Sequence, residues 1–473
     1  MNFEDYNFGL ADAYEEYCDQ PHLIEEGILD SRGWIKSIQQ GTKFLILGKK
    51  GSGKTAIGSK LLQTSSKGKF VAQYQQLSSF PFNQFTGIMH MREAPEINYT
   101  EAWDFVLLLA LCSSFANDET VGSFDPREKK QLFDLLKNLN FISNNNLSSI
   151  VQKTKEKTYK TDLKIFSSET KTETEDLNAQ KLLTILRPAV MNFAGDTSHL
   201  LIIDGLDDVL TKRQVQYEAL TALILSAKRL NSEFNLKHVP AKIILLCRTD
   251  VFEKLRTPNK NKIIQDNAIE LDWYFDMPNP EDSDLIKIAN LRASNSSGGD
   301  IDIFSKNLPK SIKGKNTMKC LIDYTRYTPR DFISLLKCIQ RVSPGKEKIT
   351  ELEIWKGLTI YSEDYFLREV KDELTGFIEN EEVIHLLFNL LVDLGKKEFT
   401  FNEIQKKASK DRYKGIDLKT LLDLLYERGV IGNFENTGAN RFYRSKYRNK
   451  HSQLDFEEMI FIHKALHKVL TLR

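Results

Sequence analysis

Residues Gly48 to Thr55 read GKKGSGKT and match the spacing GxxxxGK[ST]. Glycines at Gly48, Gly51 and Gly53 free successive backbone N–H groups to turn toward one anion, and a helix beginning near Lys54 adds the positive end of its dipole. The pattern therefore implies a cradle for a nucleoside triphosphate made by Gly48, Gly51, Ser52, Gly53 and Ala56. Lys54 would hold the outer phosphates and Thr55 would ligate Mg2+, so the implied cofactors are ATP and Mg2+. A glycine-rich turn that binds nothing is the alternative. The strand-like KFLILG before the loop and the apolar-periodic AIGSKLL after it favour the cradle.

A second chemical group follows in HLLIIDGLDD. The apolar run ending in Asp204 places a carboxylate at the C-terminal edge of a sheet, where it can complete a magnesium shell with Thr55. Water activation needs a further carboxylate, and Gly205 supplies none. That role falls to Asp207 or Asp208, unless these two merely cap the next helix. KIILLCR then brings Arg248 to the end of another buried strand, a costly place for a fixed charge unless an anion or a carboxylate faces it. Both a γ-phosphate and a buried aspartate satisfy that requirement.

The elements that must position these groups alternate. Strands are expected at Lys43 to Gly48, Lys69 to Gln75, His199 to Asp204, Lys242 to Cys247 and Ala268 to Trp273, with long helices at TEAWDFVLLLALCSSF and Gln214 to Phe234. Alternation implies an α/β fold with a mostly parallel sheet of the P-loop NTPase type. The expected organisation is an N-terminal helical segment over 1–40 and a P-loop ATPase core over 41–275, carrying a polar insertion at 117–176. A helical lid follows over 276–378, then a winged-helix domain and terminal helix over 379–473. The winged-helix reading rests on three short helices and on IGNFENTGANRFYR, two strands around an Asn-Thr-Gly turn.

DGLDD followed by a strand ending in arginine resembles the NACHT-type signal-transduction ATPases of the STAND class, relatives of the AAA+ proteins. The resemblance implies Asp204 as magnesium ligand, Asp207 or Asp208 as base, Arg248 as γ-phosphate sensor and slow, switch-like hydrolysis. FGLADAYEE, YTEAWDFVLLL, YTPRDFISLLK and FIHKALHKVL resemble a bacterial family of stand-alone P-loop ATPases found in mobile and antiviral-defence loci. This implies assembly into a homo-oligomer on ATP and control of an effector protein encoded separately. The helix after YTPR resembles the lid position where AAA+ proteins carry a second phosphate-sensing arginine, which makes Arg330 the candidate, with a plain surface arginine as the alternative. Arg256 and Arg292 are open candidates for an arginine supplied in trans.

Sixty-six basic and 65 acidic side chains leave a formal charge of +1, so affinity for nucleic acid has to come from a local patch. Lys396 to Lys450 holds such an excess, 14 Lys/Arg against 7 Asp/Glu. Arg441, Tyr443, Arg444 and Arg448 would line the wing, beside Lys406, Lys407, Lys410 and Arg412. Against base reading, the third helix carries Asp417, Asp423 and Glu427. Two uses of this module stay open: a latch on the nucleotide domain, with HKALHKVL as docking helix, or non-specific DNA contact. The second would make the chain a DNA-binding AAA+ ATPase resembling origin-recognition initiators. His463 and His467 share a helical face but lack a third metal ligand. Five scattered cysteines without a CxxC pair suit a reducing, cytoplasmic setting, and no apolar run is long enough for a membrane role.

Overall fold

The structure is a computed structural model that describes residues 1–68, 70–78, 80–85, 87–88, 95–123, 126–142, 146–155, 159–162, 174–206, 214–274, 279–437 and 440–473. It divides into two compact units, one of Arg32–Lys49 with Lys54–Leu271, the other of Met1–Ser31, Lys50–Gly53 and Asp272–Arg473.

The first unit is built on a five-stranded parallel sheet: β1 (Leu45–Gly48), β2 (Phe70–Gln76), β3 (Ser198–Asp204), β4 (Ala241–Arg248) and β5 (Ala268–Leu271), in the order β2-β3-β4-β1-β5. Leu200 to Ile203 and Ile243 to Cys247 are buried on both faces, which is why these strands appear in the sequence as unbroken apolar runs. The strand β4 lies between β1 and β3, the arrangement of the ASCE division of P-loop NTPases. Long helices that pack on the sheet include α1 (Lys54–Ser65), α2 (Pro95–Ala116) and α3 (Gln214–Lys237). From Ala102 to Cys112 helix α2 is buried on every side, as expected of an apolar helix inside a core. Its Trp103 indole donates to Ala219 O of α3 at 2.8 Å. Within the polar insertion the helix Pro126–Asn138, which the leucine spacing of DPREKKQLFDLLKNL implies, packs Leu132, Leu135 and Leu136 into the core.

The second unit begins with the helix Ala13–Asp19, capped by Asp12, whose carboxylate accepts from the Tyr14 and Glu15 amides. Its main body holds α4 (Asp284–Ser297), α5 (Pro329–Arg341), α6 (Glu351–Ile360) and α7 (Leu367–Thr375). One π-helical turn, Tyr361–Phe366, joins α6 to α7. Helices α8 (Glu381–Leu394), α9 (Phe401–Ala408) and α10 (Leu418–Glu427) follow, with strands β6 (Glu398–Phe399), β7 (Ile431–Thr437), β8 (Asn440–Arg444) and β9 (Met459–Ile462). The strands form an antiparallel sheet in the order β6-β9-β7-β8.

The terminal segment corrects one expectation. HKALHKVL is helical only over Lys464–His467, and the residues before it, Met459–Ile462, form β9. Met459 to Ile462 alternates half-buried with buried side chains and pairs with β6 and β7 on either side, so ladder hydrogen bonds outweigh the helical spacing of the apolar residues.

Candidate functional site: a phosphate loop

Helix α1 starts directly behind β1, and the loop between them carries glycine where the backbone is left-handed, with φ of +78° at Gly51 and +91° at Gly53. A side chain there would be strained by its own Cβ. In the first unit, the Lys54 ammonium lies 3.2 Å from both Gly48 O and Lys49 O and is buried. Thr55 Oγ1 donates to Asp204 Oδ2 at 2.7 Å. The Tyr74 hydroxyl donates to the same oxygen, and Gly205 N donates to Asp204 Oδ1 at 2.7 Å. Gly205 has a φ of +76°, which lets the chain turn back onto that carboxylate. Sheet register fixes the remaining group, since Gly48 and Arg248 are neighbours across β1 and β4. The Arg248 guanidinium forms a bidentate pair with Asp250, at 3.0 Å from Nε and 2.8 Å from Nη2. The carboxylate beside it is therefore one that the sequence did not single out.

Residues Lys50–Gly53 group with the second unit. There Arg330 N donates to Gly51 O at 3.3 Å, from the first turn of α5. Thr328 caps that helix, accepting from Asp331 N at 3.2 Å. A Cβ on Gly51 would stand 3.1 Å from Arg330 Cβ, a tight approach at a left-handed position. The Arg330 side chain donates to Ala11 O at 3.1 Å and lies 3.8 Å from Glu369, which also pairs with Lys50 at 2.9 Å. Ser52 Oγ is buried without a hydrogen-bond partner, and its carbonyl accepts from the Trp273 indole at 2.8 Å.

These residues fit a magnesium triphosphate. Each unit holds part of what such a group needs: the second the unsatisfied Ser52 hydroxyl and the two left-handed glycines, the first the buried ammonium and the Thr55–Asp204 pair. Ala56 lies in the first turn of α1. Asp207 and Asp208 lie outside the described residues. Arg256 is exposed, whereas Arg292 is buried, clamped to Glu16 at 2.8 and 2.9 Å and donating to Phe8 O at 2.6 Å. That placement makes Arg292 an internal tie of the N-terminal segment.

The basic surface expected on the wing is largely paired within the chain. Arg441 meets Glu398 at 2.7 Å, Arg444 meets Glu458, and Arg412 lies 3.5 Å from Asp393. Arg448 reaches Asp323 at 3.0 Å and the Tyr327 hydroxyl at 2.8 Å. Lys406 and Lys410 are exposed, Lys407 is half-buried, and the Tyr443 ring stands 5.3 Å from that of Phe461. His463 stacks on Phe366 at 4.8 Å with Nε2 3.2 Å from Thr325 O, and His467 Nε2 is 2.7 Å from Ile462 O. Burial drives the His463 imidazole down to about 3, so it is neutral near pH 7.

A buried ionic cluster, absent from the sequence reading, joins the helices to the C-terminal segment. Arg326 binds Asp331 at 2.9 Å and Glu373 at 2.8 Å, and Arg428 lies 3.6 Å from the other Glu373 oxygen. The Tyr365 hydroxyl, on the π turn, adds a bond to Asp331 at 2.9 Å. Burial alone would raise the Asp331 carboxyl, but the Arg326 guanidinium overrides this and holds it below the usual range. The only signal in the sequence was Asp331 in YTPRDF; its partners are dispersed along the chain.

Ser114, His199 and Asp118 have the connectivity of a nucleophilic triad, at 2.7 and 3.1 Å. Ser114 and His199 are buried, and His199 is the second residue of β3, at the end away from the phosphate loop. We read these three as internal hydrogen bonding.

Residues 283–368 match the model of the FunZ-associated C-terminal helical domain. A search of curated proteins gives no match. Among solved structures, the Orc1 protein of Aeropyrum pernix in complex with DNA is similar at 11% identity, with 96% of each chain covered and a TM-score of 0.42. The RuvB Holliday junction branch migration motor of Thermotoga maritima is similar at 11% identity, with 99% of each chain covered and a TM-score of 0.34. Likeness at that level carries no functional weight. The assignment to the P-loop NTPase α/β fold rests on the strand order and the loop geometry.

Proposed function

We propose that the protein is an ATP-binding, slowly hydrolysing regulatory switch of the STAND/AAA+ kind. The observation that carries the reading is the 2.7 Å bond from Thr55 to Asp204 at the head of a phosphate loop with two left-handed glycines. Bound ATP and Mg2+ would supply the scissile phosphoanhydride and a divalent charge. The chain's own part would be positional: the amides from Gly51 to Ala56 would orient the phosphates, Lys54 would give up its bonds to Gly48 O and Lys49 O for phosphate oxygens, and Thr55 and Asp204 would hold the metal. Slow turnover is supported by Gly205, which places an amide rather than a carboxylate directly after Asp204. Asp207 or Asp208 remains the proposed base, Arg248 the proposed γ-phosphate sensor once freed from Asp250, and Arg330 the proposed lid arginine.

In this reading the domains are those expected from the sequence, with 379–473 a winged helix used as a latch. Arg448 on Asp323, His463 on Phe366 and Arg428 beside Glu373 join this module to the helical lid, through which such a latch would act. Resemblance to stand-alone ATPases of defence loci supports a bacterial antiphage role in a cytoplasmic setting, with ATP-driven homo-oligomerisation and a separately encoded effector. A DNA-binding initiator-like ATPase is the second reading, favoured by the exposed Phe442 and Tyr443 on the wing. Among the described residues no helix is long and apolar enough to cross a membrane.

Two measurements on the purified chain test this. Molecular mass with and without Mg-ATP should rise on nucleotide, and phosphate release should be slow. Binding to duplex DNA across a salt series should be weak; ATP-dependent affinity falling steeply with salt would replace the switch by the initiator reading.

A further inference from the structure

We infer that a lysine-lined cleft in the second unit binds a small, multiply phosphorylated molecule, apart from the phosphate loop. The cleft has a volume of 430 Å³ and is floored by the half-buried Tyr324 and Trp355. Four exposed lysines ring it: Lys356 from α6, Lys397 from the turn before β6, and Lys464 and Lys468 from the terminal segment. A volume of that order is what nucleotide-sized ligands occupy.

The charges are only partly compensated. Lys464 lies 3.5 Å from Asp323, a carboxylate already bonded to Arg448 at 3.0 Å, and Lys468 donates to the Thr359 hydroxyl at 2.8 Å. Among the described residues, no carboxylate lies within ion-pair distance of Lys356, Lys397 or Lys468. No acidic residue lines the cleft. Outside it, Glu351 accepts from the Trp355 indole at 3.3 Å, and the ammonium of Lys313 stands 4.4 Å over the Trp355 ring. Gathering like charges costs energy, and an anion carrying two or more adjacent phosphates relieves it at several lysines together. Tyr324, Trp355 and the lysine stems give such a ligand an apolar surface for a ring or sugar. Duplex DNA spreads its charges along a rod, whereas these four lysines converge on one recess.

The lining comes from two stretches, Tyr324 to Ser362 and Lys397 with Lys464 to Lys468. Occupancy would therefore tie α6 to the C-terminal sheet and helix, the joint that the ionic cluster also spans.

The test uses the full chain carrying Lys54→Gln, which disables the phosphate loop, and titrates inorganic tripolyphosphate by calorimetry in about 150 mM salt. Binding is expected to persist in this background. Adding Lys356→Ala with Lys397→Ala removes two charge-assisted contacts and should weaken it at least about tenfold with an unchanged melting temperature, while Lys356→Arg with Lys397→Arg restores it. Tripolyphosphate that binds only the chain with Lys54 intact would overturn the assignment. So would equal binding by the double alanine variant, or a duplex oligonucleotide that outcompetes tripolyphosphate at equal phosphate concentration.

Discussion

Replacing Glu373 by alanine probes the joint between the helices and the C-terminal sheet. Glu373 is buried and faces two guanidinium groups, Arg326 at 2.8 Å and Arg428 at 3.6 Å. Without it, Arg326 keeps only Asp331, and Arg428 faces no charge at Glu373. Removing one partner of a buried ion cluster costs about 3–5 kcal/mol, because the remaining charge stays desolvated. A chain of two units need not unfold in one step, so the readout is native-state hydrogen exchange over residues 317–375 and 418–444. The Glu373→Ala chain should lose about 3–5 kcal/mol of opening free energy in both stretches, and Glu373→Gln somewhat less. Glu369→Ala serves as the control: its pairs with Lys50 and Arg330 reach the surface, and its loss should cost no more than about 1 kcal/mol. Equal protection in the Glu373→Ala and Glu369→Ala chains would refute the idea that this cluster fixes the joint.

The His463 imidazole sits at about 3 in the folded chain against an ordinary 6.5, so the unfolded chain takes up a proton that the folded one refuses. Its stabilising contribution is thus complete above about pH 6.5 and falls by about 1.4 kcal/mol per pH unit as the pH drops from there toward 3. Denaturation midpoints between pH 7 and 5 should show this slope, and His463→Gln should flatten it. Asp204→Asn and Thr55→Val should each reduce the magnesium enhancement of ATP binding at least about tenfold while leaving the melting temperature near wild type. Gly51→Ala places a Cβ at a φ of +78° and 3.1 Å from Arg330 Cβ, so thermal unfolding should show a cost of about 1–2 kcal/mol together with weakened ATP binding.

The parallel sheet was readable because strands buried on both faces leave unbroken apolar runs, and Asp204 and Arg248 end two such runs. The phosphate loop was readable because its function is carried by backbone, which fixes glycine spacing. What escaped depends on distance along the chain. Arg326 and Glu373 lie 47 residues apart, and Arg448 reaches Asp323 over 125, so neither pair leaves a local pattern. Arg448 consequently looked like a phosphate contact on the wing. The strand Met459–Ile462 was hidden because its four residues run into a segment whose apolar spacing also suits a helix.

In the proposed function the loop at Gly48 to Thr55, with Asp204, holds a magnesium nucleotide. Equilibrium dialysis of labelled ATP against the wild-type chain and the Lys54→Gln chain, with magnesium and with a chelator, tests it directly. The wild-type chain should show a saturable, magnesium-dependent site that the Lys54→Gln chain lacks, apart from any magnesium-independent uptake that the lysine-lined cleft gives both chains. Equal magnesium-dependent uptake by both chains, or none by the wild type, would contradict this.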